Sequence, residues 1–328
     1  MRSKVYLTDY IDDGAEIEKS ALADTADLIQ LNCNTEDELL PTIEDASALI
    51  VWQKVKLTER SFSRMPNCKM VIRCGSGYDN VDIEAARKHR IMVCNNPAYG
   101  VDEVADHAIT LALMLCKKVN KASEALRSNG SAGWGWKNLV PVARNSGRNF
   151  GALGFGGIGM ATALRAKAFG WNVSFSDPYA PPGIDKVLGV RRVEQDELLA
   201  QSDVLSLHLT LNPSTRGLIN AETIAKMKPG AILVNTARGG LVEDAALLAA
   251  LQEKRLAGAG LDVMQTEPQV EKSPLFLAWQ ARELDNVIIT PHVAFYSEEA
   301  HLDQRKTPAE EVRRVLRGGV PQSWVNRW

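Results

Sequence analysis

Asn149-Phe150-Gly151-Ala152-Leu153-Gly154-Phe155-Gly156-Gly157-Ile158-Gly159 is the stretch on which the fold turns. Phe150 to Leu153 reads as a short strand, Gly154 to Gly159 fits G-x-G-x-x-G, and a helical pattern runs from Ile158 to Phe169. Gly154 suits a tight turn, Gly156 lets a pyrophosphate approach the backbone, and Gly159 lets the helix pack closely on the strand. The first N–H groups of the helix then attract phosphate. Alone, the string also describes an ordinary glycine-rich turn. Its sequel is more specific: Asn172-Val173-Ser174-Phe175-Ser176-Asp177 is a second strand ending in a carboxylate 18 residues past Gly159. That is close to the roughly 20 residues of a dinucleotide-binding unit. Such a carboxylate accepts hydrogen bonds from the adenosine ribose and repels a 2′-phosphate, so NAD is expected rather than NADP. Asp177 also stands before Pro178, where Asp commonly starts a turn, and both roles are compatible.

Downstream, apolar runs at 204–208, 231–234, 259–261 and 287–289 alternate with helical patterns, which with 150–153 and 172–175 makes six strands of a doubly wound nucleotide-binding sheet. Upstream, short apolar runs at 5–7, 28–31, 48–52, 70–73 and 91–94 alternate with polar helix-like stretches, the signature of another parallel sheet. Between the two series a single long helix is expected from Asp102 to about Asn129, too apolar for one narrow stripe, followed by a loop rich in Gly, Trp and Asn. An amphipathic helix is expected from about Ser297 to Leu316.

The bulk properties agree with two domains, because 328 residues exceed the about 250 to 300 at which one core stops growing. A net charge of −2 gives no footprint for nucleic acid or anionic membranes. No apolar run approaches the roughly 18 residues of a membrane span, and no signal-peptide pattern follows Met1, so a cytoplasmic protein is expected. Cys33, Cys68, Cys74, Cys94 and Cys116 lack paired or metal-ligand spacing and read as reduced, buried thiols, with no metal expected.

A nicotinamide enzyme has two tasks beyond holding its cofactor: to fix the substrate and to move a proton. Arg238 lies just past the strand 231–234 in Asn235-Thr236-Ala237-Arg238-Gly239-Gly240, where open α/β sheets bind ligands, and its planar fork suits a carboxylate. A surface arginine opening the next helix fits the spacing equally well. Proton transfer suits histidine. His89, His107 and His301 sit in helical patterns and read as structural, whereas His208 ends a strand and His292 follows one in Thr290-Pro291-His292. Glu267, in Thr266-Glu267-Pro268, is a solvated loop carboxylate by spacing alone; touching the imidazole, it would favour the charged ring and keep an acid available.

Together these residues resemble the D-isomer-specific 2-hydroxy acid dehydrogenase family, and within it the branch containing the C-terminal-binding proteins. The resemblance covers nearly the whole chain and is carried by Arg73-Cys74-Gly75-Ser76-Gly77-Tyr78-Asp79-Asn80-Val81-Asp82, the glycine motif, Arg165 to Gly170, Asp177-Pro178-Tyr179, Asn235 to Val242, Leu261-Asp262-Val263, Glu267-Pro268 and Thr290-Pro291-His292. It implies an α/β protein of two doubly wound domains, with a Rossmann NAD-binding domain (102–295) inserted into a flavodoxin-like substrate domain (1–101 and 296–328). It implies Arg238, Glu267 and His292 as catalytic residues, and Ser76 and Gly77 as a loop whose N–H groups face the substrate carboxylate and nicotinamide. Trp52 and Phe295 join Arg238 among the substrate contacts. Leu153, Gly154, Phe155, Gly156, Gly157, Ile158, Gly159 and Asp177 are implied around the pyrophosphate and ribose. His208, Leu209, Thr210, Asn212, Thr215, Thr236, Ala237 and Asp262 are implied around the nicotinamide half, beside Ser76, Arg238 and His292.

The resemblance further implies interconversion of a small 2-keto acid and its D-2-hydroxy acid, and a homodimer built on the helix after Asp102. Gly157 replaces a basic residue common in the family, Thr210 and Asn212 replace Pro and Thr, and Phe295 replaces the branch's tryptophan. Trp52-Gln53-Lys54 offers no arginine cluster, which disfavours a phosphorylated substrate. The alternative is an NAD(H)-sensing scaffold that binds partner proteins; the intact triad and the lack of a basic targeting run stand against it.

Overall fold

The computed structural model describes residues 2–328, which divide into two compact units, 2–100 with Ser297–Trp328 and Val101–Tyr296. The first contains a five-stranded parallel sheet: β1 (Ser3–Leu7), β2 (Ala26–Gln30), β3 (Ala48–Val51), β4 (Met70–Arg73) and β5 (Met92–Cys94), in the order β2-β1-β3-β4-β5. That is the flavodoxin-like order. A parallel sheet is covered on both faces, so its strands are continuous apolar runs. Val5, Leu7, Ile50 and Ile72 point to one core layer, while Tyr6, Leu49, Val51 and Val71 point to the other.

The tail helix Glu298–Leu316 closes the first of those layers with Ala309, Val312 and Val315. Ser297 caps it by accepting the N–H of Ala300, at 2.9 Å. From this helix Arg305 reaches the start of the chain, pairing with Glu18, which is 1% exposed, and with Asp13, each at 2.8 Å. The last residues seal β5: Val93 donates its N–H to the Asn326 side chain at 2.8 Å, and Val325 donates to the Val93 carbonyl at 2.9 Å. An edge strand covered in this way offers no template for unwanted pairing.

The second unit holds a seven-stranded parallel sheet: β6 (Asn149–Leu153), β7 (Asn172–Ser176), β8 (Arg191–Arg192), β9 (Val204–Leu207), β10 (Ala231–Asn235), β11 (Leu256–Leu261) and β12 (Val287–Ile289). Their order is β12-β11-β10-β9-β6-β7-β8, the Rossmann arrangement with one strand added, so the direction of winding reverses between β6 and β9. The sheet has one strand more than the six expected, because β8 is two exposed arginines with no apolar signal.

The expected long helix is two. Val101–Lys117 buries Val104, Ala108, Leu111 and Ala112, then Lys118 enters the left-handed region at φ 53° and breaks it. The following helix, Val119–Asn129, buries none of its residues. Helix Val101–Lys117 packs on β10, β11 and the helix Gly157–Ala168. All five cysteines are free and buried. No helix among the described residues is long and apolar enough to cross a membrane.

Candidate active site

At the reversal point the chain leaves β6 through Gly154, whose φ of +92° is costly for any residue with a side chain. A Cβ there would also lie 2.6 Å from the His208 carbonyl oxygen at the end of β9. Gly159, one turn into the helix Gly157–Ala168, packs on the Gly154 carbonyl, where a Cβ would stand 2.3 Å away. A Cβ on Gly156, by contrast, would meet nothing within 4 Å. Two of the three glycines thus close the turn, and the third leaves open space in front of the helix N-terminus, as an approaching phosphate requires.

Asp177 ends β7 and faces this turn. Its carboxylate accepts the N–H of Phe155 at 2.7 Å and the N–H of Tyr179 at 2.8 Å, so it shapes the loop and starts a turn at once. Arg192 donates to the Asp177 carbonyl oxygen at 2.7 Å. On the opposite side of the reversal, both ring nitrogens of His208 are shielded from solvent without a protein partner, and burial lowers the imidazole's pKa to about 4. The ring is therefore neutral at physiological pH. The buried hydroxyl of Thr236, just past β10, is likewise without a protein partner. Buried polar atoms of this kind, lined along the carboxyl edge of a Rossmann sheet beside an open glycine turn, fit a polar ligand the length of a dinucleotide. The loop after β9 holds itself: Thr215 donates to the Thr210 carbonyl oxygen at 2.7 Å and accepts from the Asn212 N–H at 2.9 Å. Leu209 packs on the core below.

Three neighbouring strands then end side by side, since Asn235 pairs with Leu261 and Leu261 with Ile289 in register. Arg238, Glu267 and His292 follow β10, β11 and β12 respectively, on this one edge. Buried Asn235 shapes the first loop, accepting from the Ala237 N–H at 3.0 Å and donating to the Arg238 carbonyl oxygen at 2.9 Å. Arg238 is half-buried and donates from Nη1 to the Ala237 carbonyl oxygen at 2.8 Å. Gly239 presses this loop onto the next, for a Cβ there would lie 2.0 Å from the Met264 carbonyl carbon.

Glu267 Oε1 stands 3.0 Å from His292 Nδ1, with both side chains 31% exposed. A carboxylate accepts, so Nδ1 carries a hydrogen and Nε2 is the nitrogen left for chemistry. His292 has φ 55°, an uncommon conformation outside glycine, and the backbone around it is secured by Asp262. The His292 N–H donates to the Asp262 carbonyl oxygen at 2.8 Å. The buried Asp262 carboxylate accepts from Thr290 Oγ1 at 2.6 Å, the Val293 N–H at 3.0 Å and the Ala294 N–H at 2.9 Å. Phe295 lies edge-on to the His292 ring with centroids 6.4 Å apart.

The remaining expected contacts belong to the first unit. Ser76 and Gly77 follow β4 in a loop fixed by asparagines: Asn96 donates its N–H to the Gly75 carbonyl oxygen at 3.1 Å, and Asn95 its side chain to the Ser76 carbonyl oxygen at 2.7 Å. Trp52 ends β3, packs on the tail-helix layer and tilts against His301, with ring centroids 6.1 Å apart. Sequence reasoning had not singled out Asn235 or Thr290, although an Asn directly before the Thr236–Arg238 turn is itself a turn signal.

The model of the NAD-binding domain of D-isomer specific 2-hydroxyacid dehydrogenases matches residues 109–294. The chain belongs to this family. Residues 109–294 thus form an NAD-binding domain, consistent with the glycine turn and strand order. The chain is 37% identical over 308 residues to D-3-phosphoglycerate dehydrogenase of Mycobacterium bovis, covering 94% of this chain and 56% of that protein. It spans about half the length of the curated relatives it matches. Among solved structures, a glyoxylate reductase from Paecilomyes thermophila is 30% identical with a TM-score of 0.86, covering 99% of this chain and 98% of that one. D-Lactate dehydrogenase of Aquifex aeolicus, complexed with NAD and lactic acid, is 28% identical with a TM-score of 0.87, and 99% of each chain is covered.

Proposed function

We propose that this family member interconverts a small 2-keto acid and its D-2-hydroxy acid. The bond between Glu267 and His292 at the ligand-binding edge of the NAD domain carries the reading. NAD, when bound, supplies or accepts the hydride. The chain's own residues do the rest. Arg238 pairs through its planar guanidinium with the substrate carboxylate. In reduction, His292 gives the proton on Nε2 to the 2-oxygen, while Glu267 holds Nδ1–H and balances the charged ring. In oxidation, neutral His292 takes that proton back. Dehydrogenase and reductase names among the relatives above favour catalysis over a scaffold role.

Phe295, edge-on to the catalytic imidazole, favours a small, uncharged substrate side chain, because a phenyl ring cannot pair with a phosphate. The test is NADH oxidation with glyoxylate, hydroxypyruvate, pyruvate, phenylpyruvate and 3-phosphohydroxypyruvate, by the native chain and by His292→Ala. Turnover of an unphosphorylated keto acid is expected, falling about 100-fold or more without the imidazole. Preference for the phosphorylated acid would overturn the assignment of side chain, and full activity of His292→Ala would remove that residue from its role.

A homodimer belongs to the same reading. The helix Val119–Asn129 buries nothing and exposes Val119 and Leu126, and the segment after it exposes Trp134 (79%) and Trp136 (68%). Adjacent exposed aromatics and aliphatics of this kind suit an interface with a second copy. Light scattering at micromolar concentration should give twice the chain mass, and Trp134→Glu with Trp136→Glu should halve it.

A further inference from the structure

We propose that His107, on the helix Val101–Lys117, is a positioning residue that holds the His292 turn in its working conformation through Thr290 and Asp262. The inference rests on the catalytic reading above. His107 Nε2 lies 3.0 Å from Thr290 Oγ1 and 3.7 Å from Asp262 Oδ1. The Thr290 hydroxyl owns a single hydrogen, and its 2.6 Å bond to the Asp262 carboxylate uses it. The hydroxyl oxygen therefore accepts from His107, whose Nε2 carries the proton.

This places His107 at the head of a chain of hydrogen bonds. It donates to Thr290, and Thr290 donates to Asp262, which grips Val293 and Ala294 by their N–H groups and His292 through its carbonyl oxygen. The conformation it supports is one a histidine leaves readily, since φ is 55°. The anchor is firm: the helix is buried at Val104, Ala108 and Leu111, and Arg165 pins it by pairing with Asp102 at 2.8 Å and with Asp106 at 2.5 Å, one residue from His107. A histidine that only filled space would need neither the hydroxyl contact nor a proton on Nε2.

The test compares His107→Leu with His107→Gln, whose side-chain amide can donate to the same hydroxyl, in the full chain. Hydrogen exchange of the peptide spanning residues 287–296 is followed by mass spectrometry, beside kcat and KM for keto acid reduction. Leucine should accelerate exchange in that peptide several-fold and lower kcat by roughly tenfold to a hundredfold, the scale of a small misplacement, with KM for NADH little changed. Glutamine should restore both. Unchanged exchange and kcat in His107→Leu, or identical behaviour of the two variants, would overturn the inference. A native chain that reduces no keto acid would instead overturn the catalytic reading, and the exchange comparison would still decide the role of His107.

Discussion

Gly239 lies flat on the backbone of Met264, so close that a Cβ would stand 2.0 Å from the carbonyl carbon and 2.1 Å from its oxygen. This contact locks the loop bearing Arg238 against the loop bearing Glu267. Neither partner is a side-chain end that could swing away. Gly239→Ala should therefore separate the two loops, costing about 3 kcal/mol of stability by overpacking and at least about tenfold in kcat/KM. Urea denaturation and keto acid reduction, measured on one preparation, check both effects.

We propose that Asp177 sets the choice of cofactor. Its carboxylate is held beside the glycine turn by two backbone N–H groups. Asp177→Ala removes a negative charge that a 2′-phosphate would meet. The ratio of kcat/KM for NADPH to that for NADH should rise by at least about tenfold, equivalent to about 1.4 kcal/mol of relieved repulsion. An unchanged ratio would assign selectivity to another residue, with Arg192 the first to examine.

His208 makes stability depend on pH. Its pKa is lowered by burial to about 4, against an ordinary value of 6.5. Between these values the unfolded chain binds a proton that the folded chain refuses. Stability therefore falls as pH drops from 6.5 toward 4 and levels off below, an effect of at most about 3 kcal/mol at 1.4 kcal/mol per pKa unit. In His208→Gln this part of the slope should vanish, measurable as the difference between the two proteins in urea unfolding at pH 7 and pH 4.5.

Glu18 and Arg305 form an ion pair with exposures of 1% and 6%. Glu18→Gln leaves a buried guanidinium under-compensated and should cost about 3 kcal/mol. The double change Glu18→Leu with Arg305→Met should recover most of that loss, because removing both charges also removes the penalty of burying them. A single variant as stable as the native chain would show that Asp13 alone satisfies the arginine.

The sequence made the sheet legible where strands were buried on both faces. The expected runs at 70–73 and 287–289 match β4 and β12 to the residue. Legibility failed where burial gave no pattern: β8 is exposed Arg191–Arg192, and the break at Lys118 depends on one left-handed residue that composition does not announce. The site divides in the same way. Arg238, Glu267 and His292 each follow a strand end, but spacing left Arg238 and Glu267 open to surface roles. It was the family resemblance that singled out the three, and the direction of a side chain was not readable at all. Asp262 is visible in sequence as the residue after a strand. Only the structure reveals that both its oxygens turn inward onto the Thr290–Ala294 turn. His107 looked structural for a related reason, since helical spacing cannot report a partner 183 residues away.

The tail helix Glu298–Leu316 supplies part of the core beneath β1, β3 and β4. A ribosome delivers those strands before the inserted unit and that helix after it, so this sheet emerges with one greasy side bare and stays so until the insertion and then the helix have been made. The inserted unit, contiguous from Val101 to Tyr296, has all its parts before then. A core made from segments on both sides of an insertion can thus close only after the inserted unit has been made.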